Sequence, residues 1–198
     1  MNLAIDIGNS FTHFAVFEGR KNIYVQNCSS LGLTALTKAI KKIRKEFEII
    51  KIGISSVSPN TQKSIKLLIR KEFKASPLII NDESKLPIKI KIKNPHSLGS
   101  DRICNAAYGY IAVKGKSNVL IIVLGTANTY DLVLKNSDFV GGIIAPGIMT
   151  SSTALNSNTG KLPLLEYRKL SVKAPLIGKN IFEAIQSGLV NYMKYATE

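Results

Sequence analysis

The segment Leu3–Phe17, LAIDIGNSFTHFAVF, returns 117 residues later as Leu120–Leu134, LIIVLGTANTYDLVL. In register, Ile7-Gly8-Asn9 answers to Leu124-Gly125-Thr126, Thr12 to Thr129 and Val16 to Val133. Each copy reads as an apolar strand, a turn of glycine with small hydroxyl or amide residues, and a returning strand. Glycine permits the sharp turn and close backbone approach, and the turn's N–H groups and hydroxyls form a concavity suited to an anion. A single hairpin of this kind is an ordinary turn. Two in register point to a duplicated chain with a phosphate clamp between its halves.

The intervening sequence alternates between the two periodicities. Strands are expected over 2–7, 11–17 and 22–26, then a helix over 33–47 with Leu33, Leu36, Ile40, Ile43 and Phe47 at helical spacing. A buried strand at Ile50–Ser55, a helix at Asn60–Phe73 and a short strand at Pro77–Ile80 follow. Ile88, Ile90 and Ile92 alternate with lysines, as in a half-buried edge strand. Ser100 or Asp101 is expected to cap a helix running to about Val113, with Ile103, Ala106, Ala107, Tyr110 and Ile111 inward. The second half restarts with strands over 118–124 and 128–135 and a strand leading to Gly141-Gly142. A helix near 148–156 and an amphipathic one over 178–195 complete the pattern. Three strands followed by alternating helices and strands, begun twice, give an α/β class with mixed sheets flanked by helices. The expected halves are 1–115 and 116–198.

Composition excludes several alternatives. At 198 residues, with 45% hydrophobic and 20% charged residues, the chain is a folded globule and not a disordered tail. No apolar run approaches the ~20 residues of a membrane span, and residues 1–7 read as a strand and not a leader, so a cytoplasmic protein without a membrane partner is expected. Cys28 and Cys104 have no metal or redox spacing, and His13 and His96 sit in no ligand pattern. The net charge of +14 raises nucleic acid as a partner. The lysines, however, are scattered over helix faces and loops, and the chain is rich in Ile and Asn, which share A/T-rich codons with Lys. An aromatic-interleaved basic platform is missing, so nucleic acid is not the expected ligand. Gly115-Lys116-Ser117 resembles the end of a P-loop, but the earlier glycine would fall at Tyr110, and G-x-G-x-x-G is absent.

A family resemblance rests on an ordered series of motifs. Asp6-Ile7-Gly8-Asn9-Ser10 resembles the first phosphate motif of the type III pantothenate kinases, of the acetate kinase/sugar kinase/Hsp70/actin superfamily. Ser55-Ser56-Val57-Ser58-Pro59 follows at a fitting distance. Asn94–Arg102 (NPHSLGSDR) resembles the pantothenate-site signature, which ends in Gly, a small residue, Asp and Arg. Gly125-Thr126-Ala127 with Thr129-Tyr130-Asp131 resembles the second phosphate motif. Gly141–Gly147, Thr159–Pro163, Gly178-Lys179-Asn180 and Gln186-Ser187-Gly188 continue in family order over essentially the whole chain.

The resemblance implies duplicated ribonuclease H-like (actin-like ATPase) domains and a defined reaction. The γ-phosphoryl group of ATP would pass to the primary hydroxyl of pantothenate, giving 4'-phosphopantothenate, the first step towards coenzyme A. Such a transfer depends on positioning, charge stabilisation and a base for the alcohol proton. By resemblance Asp101 is that base, and Gly99, Ser100, Asp101 and Arg102 hold pantothenate. Asp6, Ile7, Gly8, Asn9, Ser10, Phe11, Thr12, His13 and Thr126 form the ATP site, with Asp6 orienting phosphates that carry Mg2+. Relatives are homodimers, and the apolar face of 178–195 (Ile181, Ala184, Ile185, Leu189, Tyr192) is the expected contribution here. They also bind a monovalent cation, K+ or NH4+, through an Asp that is Val123 in this chain. A pantothenate-contacting Tyr aligns with Ile92, a Thr with Ile181, and the chain stops at Glu198, before the relatives' glycine-rich adenosine motif. These departures define alternatives to an active kinase: a catalytically degenerate homologue, or a regulatory protein like the Bvg accessory factors.

Overall fold

A computed structural model describes residues 1–197. They form two compact units, one of residues 1–121 with 131–141 and one of residues 122–130 with 142 onwards. The first unit begins with the meander β1 (Asn2–Ile7), β2 (Phe11–Glu18) and β3 (Lys21–Ser29), followed by α1 (Leu33–Glu46), β4 (Lys51–Ser56), α2 (Pro59–Phe73) and β5 (Leu78–Ile79). The sheet order is β3-β2-β1-β4-β5, antiparallel across β1–β3 and parallel from β1 through β4 to β5. Antiparallel neighbours need only a tight turn, whereas the parallel step from β4 to β5 needs a crossover, which α2 supplies.

Period-2 alternation sorts this sheet into two faces. Leu3, Ile5 and Ile7 of β1, Phe14 and Val16 of β2, and Ile52 and Ile54 of β4 are buried against Leu36, Ala39, Ile40 and Ile43 of α1 and Ile65 and Ile69 of α2. Each such side chain contributes about 1.5–3 kcal/mol of burial. The same alternation turns Asp6, His13 and Ser55 to the opposite face, away from this core.

The chain continues with β6 (Lys89–Ile90), α3 (Ser100–Ala112), β7 (Val119–Leu124), β8 (Ala127–Val133), β9 (Asp138–Pro146), α4 (Ile148–Asn158) and α5 (Ile181–Thr197). The second sheet has the order β6-β9-β8-β7, and its β9-β8-β7 part repeats the β3-β2-β1 order, as the aligned hairpins require. The isoleucine-lysine segment is a two-residue edge strand of this second sheet, parallel to β9 through Lys89↔Asp138 and Ile90↔Phe139. A second apolar cluster within the first unit joins Ile103, Ala106 and Ala107 of α3 to Ile88, Leu98, Val133 and Phe139.

Two local expectations are corrected. Neither Ser100 nor Asp101 caps α3; the N-cap is Gly99, with no side-chain cap bond. The Ser100 hydroxyl is taken by the backbone of β4 instead, donating to Ser56 O at 3.0 Å and accepting from Ser56 N–H at 2.6 Å. Leu33 and Ile111, expected inward, are 55% and 56% exposed. They lie in the first and last turns of their helices, and helical spacing sets a direction from the axis, not whether a sheet lies beneath the helix end.

Candidate active site

The first glycine turn joins β1 to β2. Gly8 N–H donates to Phe11 O at 2.9 Å, and a Cβ at Gly8 would sit 2.9 Å from that same oxygen, so the turn closes only on glycine. Ser30, just past β3, pins the turn from behind. Its hydroxyl donates to Gly8 O at 2.8 Å, its N–H donates to Ser10 O at 3.0 Å, and its hydroxyl lies 2.9 Å from that of Thr12. Asn9, Ser10 and Phe11 are therefore presented outward, while Ile7 and Thr12 are wholly buried.

Strand register places four polar residues in one row. Asp6 lies opposite His13 of β2 and opposite Ser55 of β4, and His13 lies opposite Asn27 of β3. Cross-strand partners share a face, so Asn27, His13, Asp6 and Ser55 run side by side across the sheet. His13 Nδ1 is 2.9 Å from Asn27 Oδ1.

Helix α3 brings a second carboxylate to the end of this row. Ser100 is buried and its hydroxyl also lies 3.2 Å from that of Ser55, which ties the start of α3 to β4. Asp101, in the first turn, folds its carboxyl back over Gly99: a Cβ there would stand 2.5 Å from Asp101 Oδ1 and 3.4 Å from Val57 Cγ1. Asp101 Oδ1 is buried and has no hydrogen-bond partner. Leaving an acceptor in that state costs about 1–3 kcal/mol, and a ligand donor would complete it.

The Asp6 carboxyl feels the second carboxylate. Asp6 is exposed as a residue, but its carboxyl is partly enclosed beside Ser55 and Asp101. That enclosure pushes it above the ordinary carboxylate value; the Ser55 hydroxyl pulls it back, the negative Asp101 adds to the rise, and His13 opposes it. Burial likewise raises the Cys104 thiol, one turn into α3, with Ser55 opposing and the two carboxylates reinforcing. The consequence for stability has a definite sign. Because the folded carboxyl of Asp6 binds its proton more tightly than the unfolded one, ionised Asp6 destabilises the fold at neutral pH, and the deficit fades as pH falls through the folded value towards 3.8. Asp6→Asn is thus expected to raise the melting temperature of the ligand-free protein at pH 7, modestly because solvent screens the group, and to give no gain below about pH 3.8. Thermal melts across that range check it.

Arg102 is engaged by Asp131, a residue of the second phosphate motif to which the sequence assigned no role. Its Nε donates to Asp131 Oδ1 and Oδ2 at 3.0 and 3.1 Å, and its Nη2 donates to Oδ1. Asp131 is 1% exposed. Ser55 and Asp131 are named in the motif series without a site role, and Ser30 is not named at all. Ser55 was legible in principle, since alternation with Ile52 and Ile54 puts it on the face of Asp6. A buried acid between Thr129 and Val133 likewise demands a cationic partner. Ser30 has no such signal.

The second glycine turn, in the second unit, joins β7 to β8. Gly125 N–H donates to Asn128 Oδ1 at 3.3 Å, and Thr126 O accepts from Gly147 N–H at 3.0 Å and from the Thr150 hydroxyl at 2.6 Å. A Cβ at Gly147 would fall 1.8 Å from Gly125 O, so the start of α4 packs on this turn only through glycine. Thr126 is exposed, and buried Thr129 Oγ1 has no hydrogen-bond partner. Val123 is 37% exposed and Ile181 47% exposed, while Ile92 packs on the apolar cluster beneath α3.

Of the expected site residues, the first unit holds Asp6 to His13 and Gly99 to Arg102, with Asp6 and Asp101 within electrostatic reach; Thr126 lies in the second. A type III pantothenate kinase family model matches residues 2–198. A type III pantothenate kinase of Dehalococcoides mccartyi is 33% identical over 198 residues, covering 94% of this chain and 74% of that one. One from a Sulfurihydrogenibium species is 40% identical over 147 residues, covering 74% and 56%. Among solved structures, the Aquifex aeolicus Ppx/GppA phosphatase (type II variant) superposes with a TM-score of 0.51 at 12% identity, covering 83% of this chain and 57% of that one, a likeness of fold alone. With the motif series, the paired glycine turns and the Asp6–Asp101 arrangement in place, the chain belongs to the type III pantothenate kinase family.

Proposed function

We propose that this chain carries out its family's reaction, the ATP-dependent phosphorylation of pantothenate, with Asp101 as the general base. The observation that carries the assignment is the buried, unpartnered Asp101 Oδ1 at the start of α3. The primary hydroxyl of pantothenate donates its proton to the Asp101 carboxylate as its own oxygen bonds to the γ-phosphorus, and the bond to the ADP oxygen breaks. A positioned base contributes about 10²–10⁴-fold to such a step. Ser100 holds the helix start that carries Asp101, and Arg102 offers its remaining N–H donors to the polar groups of pantothenate.

The donor set at the first turn fits a nucleotide with its metal. Gly8 leaves a side-chain-free backbone approach, Asn9 and Ser10 are presented outward, and Asp6 is a hard oxygen donor beside them. Mg2+ bound with ATP neutralises phosphate charge, and Asp6 would orient it. Thr126 belongs to the second phosphate turn. The Val123 side chain brings no carboxylate oxygen for an alkali cation, so its side chain does not fit the relatives' K+ or NH4+ site.

The reaction is tested by coupled ADP release with and without pantothenate. Pantothenate-dependent release is the expected result; release that ignores pantothenate, or none, would overturn it. Among the described residues no helix is long and apolar enough to cross a membrane. On α5, Ile185 is buried while Ile181, Phe182 and Tyr192 are 47%, 49% and 59% exposed. The exposed apolar side chains at the edges of that partly covered face support a homodimer, and light scattering is expected to give twice the 21.6 kDa chain mass.

A further inference from the structure

We propose that Asp131 is a positioning residue: its two-oxygen grip on Arg102 keeps that guanidinium off the neighbouring Asp101 and turned towards the substrate. The inference rests on Asp101 being the base. Arg102 follows Asp101 directly in the first turn of α3, on a long side chain with a permanent charge, and Asp6 is a second carboxylate nearby. Consecutive side chains leave a helix in different directions, but a guanidinium on so long a side chain, if not held elsewhere, is within chain reach of the Asp101 carboxylate. An ion pair there would compete with the substrate proton. Yet Asp101 Oδ1 has no hydrogen-bond partner.

Asp131 explains the difference. It stands on β8, two residues before Val133, which packs beneath α3, so its carboxylate is delivered to Arg102 by a rigid strand. Both of its oxygens are engaged, in the fork geometry that suits guanidinium and carboxylate. The bonds use Nε and Nη2, which leaves Nη1 on the outer edge of the fork. The Phe139 ring lies 5.9 Å from Arg102 Cζ and backs the guanidinium. A pair this enclosed is a poor source of net stability, since desolvation offsets most of its Coulombic gain. Its effect on where Arg102 does and does not point is the stronger reason for it.

The test is a kinetic cycle on the full chain with Asp131→Asn, Arg102→Gln and the double variant, backed by a crystal structure of Asp131→Asn. Asn keeps the size and one acceptor oxygen but turns an N–H2 towards the guanidinium, so the melting temperature of every variant is read beside its kinetics. Asp131→Asn is expected to lower kcat/KM for pantothenate by about 10–100-fold, with KM for ATP unchanged within about threefold. In the double variant kcat should recover to that of Arg102→Gln, because no guanidinium remains to capture Asp101. If the two losses simply multiply, or if both KM values move together with the melting temperature, Asp131 is structural only and the proposal fails. The crystal structure reads the same point without turnover: Arg102 bonded to Asp101 in Asp131→Asn supports it, and Arg102 still at position 131 overturns it. A wild-type chain without pantothenate-dependent ADP release would refute the reaction, leaving the crystallographic result to decide the role of Asp131.

Discussion

Asp101→Asn is expected to reduce pantothenate-dependent ADP release by about 10²–10⁴-fold while leaving the protein folded. Asn matches Asp in size but cannot take a proton from the attacking hydroxyl. The substitution removes no cap, because α3 is capped by Gly99 without a side-chain bond. It also relieves Asp6 of a nearby negative charge, so the melting temperature should hold or rise slightly. Steady-state kinetics beside a thermal melt separate the two effects. Turnover near wild type would show that Asp101 is not the base.

Gly99→Ala should damage catalysis by a different route. The backbone at Gly99, φ −59 and ψ 140, suits any residue, so alanine introduces no backbone strain. Restricting the unfolded chain would even stabilise by about 0.4–1 kcal/mol. The new methyl, however, would stand 2.5 Å from Asp101 Oδ1, closer than atoms pack, with Val57 Cγ1 at 3.4 Å on its other side. The carboxyl must move. Displacement of a reacting group by about 1 Å can cost about 10²-fold, so kcat should fall by that order with the melting temperature nearly unchanged. An unaltered kcat would mean the carboxyl can turn aside without leaving its working position.

The glycine in that signature thus has a steric reason that the linear motif does not display. The motif announces Gly99, Asp101 and Arg102 together, but it reads equally well as a helix start with Ser100 or Asp101 as cap. Capping preference is a local rule, and here a longer-range competitor wins: the Ser56 backbone claims the Ser100 hydroxyl from 44 residues away. The row Asn27–His13–Asp6–Ser55 was half legible. Alternation assigns each residue to the open face of its strand, but only the parallel register of β1 with β4 sets Ser55 beside Asp6.

What the amino-acid sequence determined by itself is whatever rests on neighbours a few residues apart. That comprises the alternating strands, the helical apolar stripes, the two glycine turns in register and, through the ordered motifs, the family and its reaction. The tertiary structure alone decided the pairings between distant segments. Ser30 behind the Gly8 turn, Asp131 on Arg102 and the unpartnered Asp101 Oδ1 are each products of strand order and register. The physical reason is reach: turn and helix preferences are set within a few peptide units, whereas a buried charge takes whichever partner the packed strands deliver. The motif names Asp131 without a role, and only the packing of α3 against β8 makes Arg102 its partner.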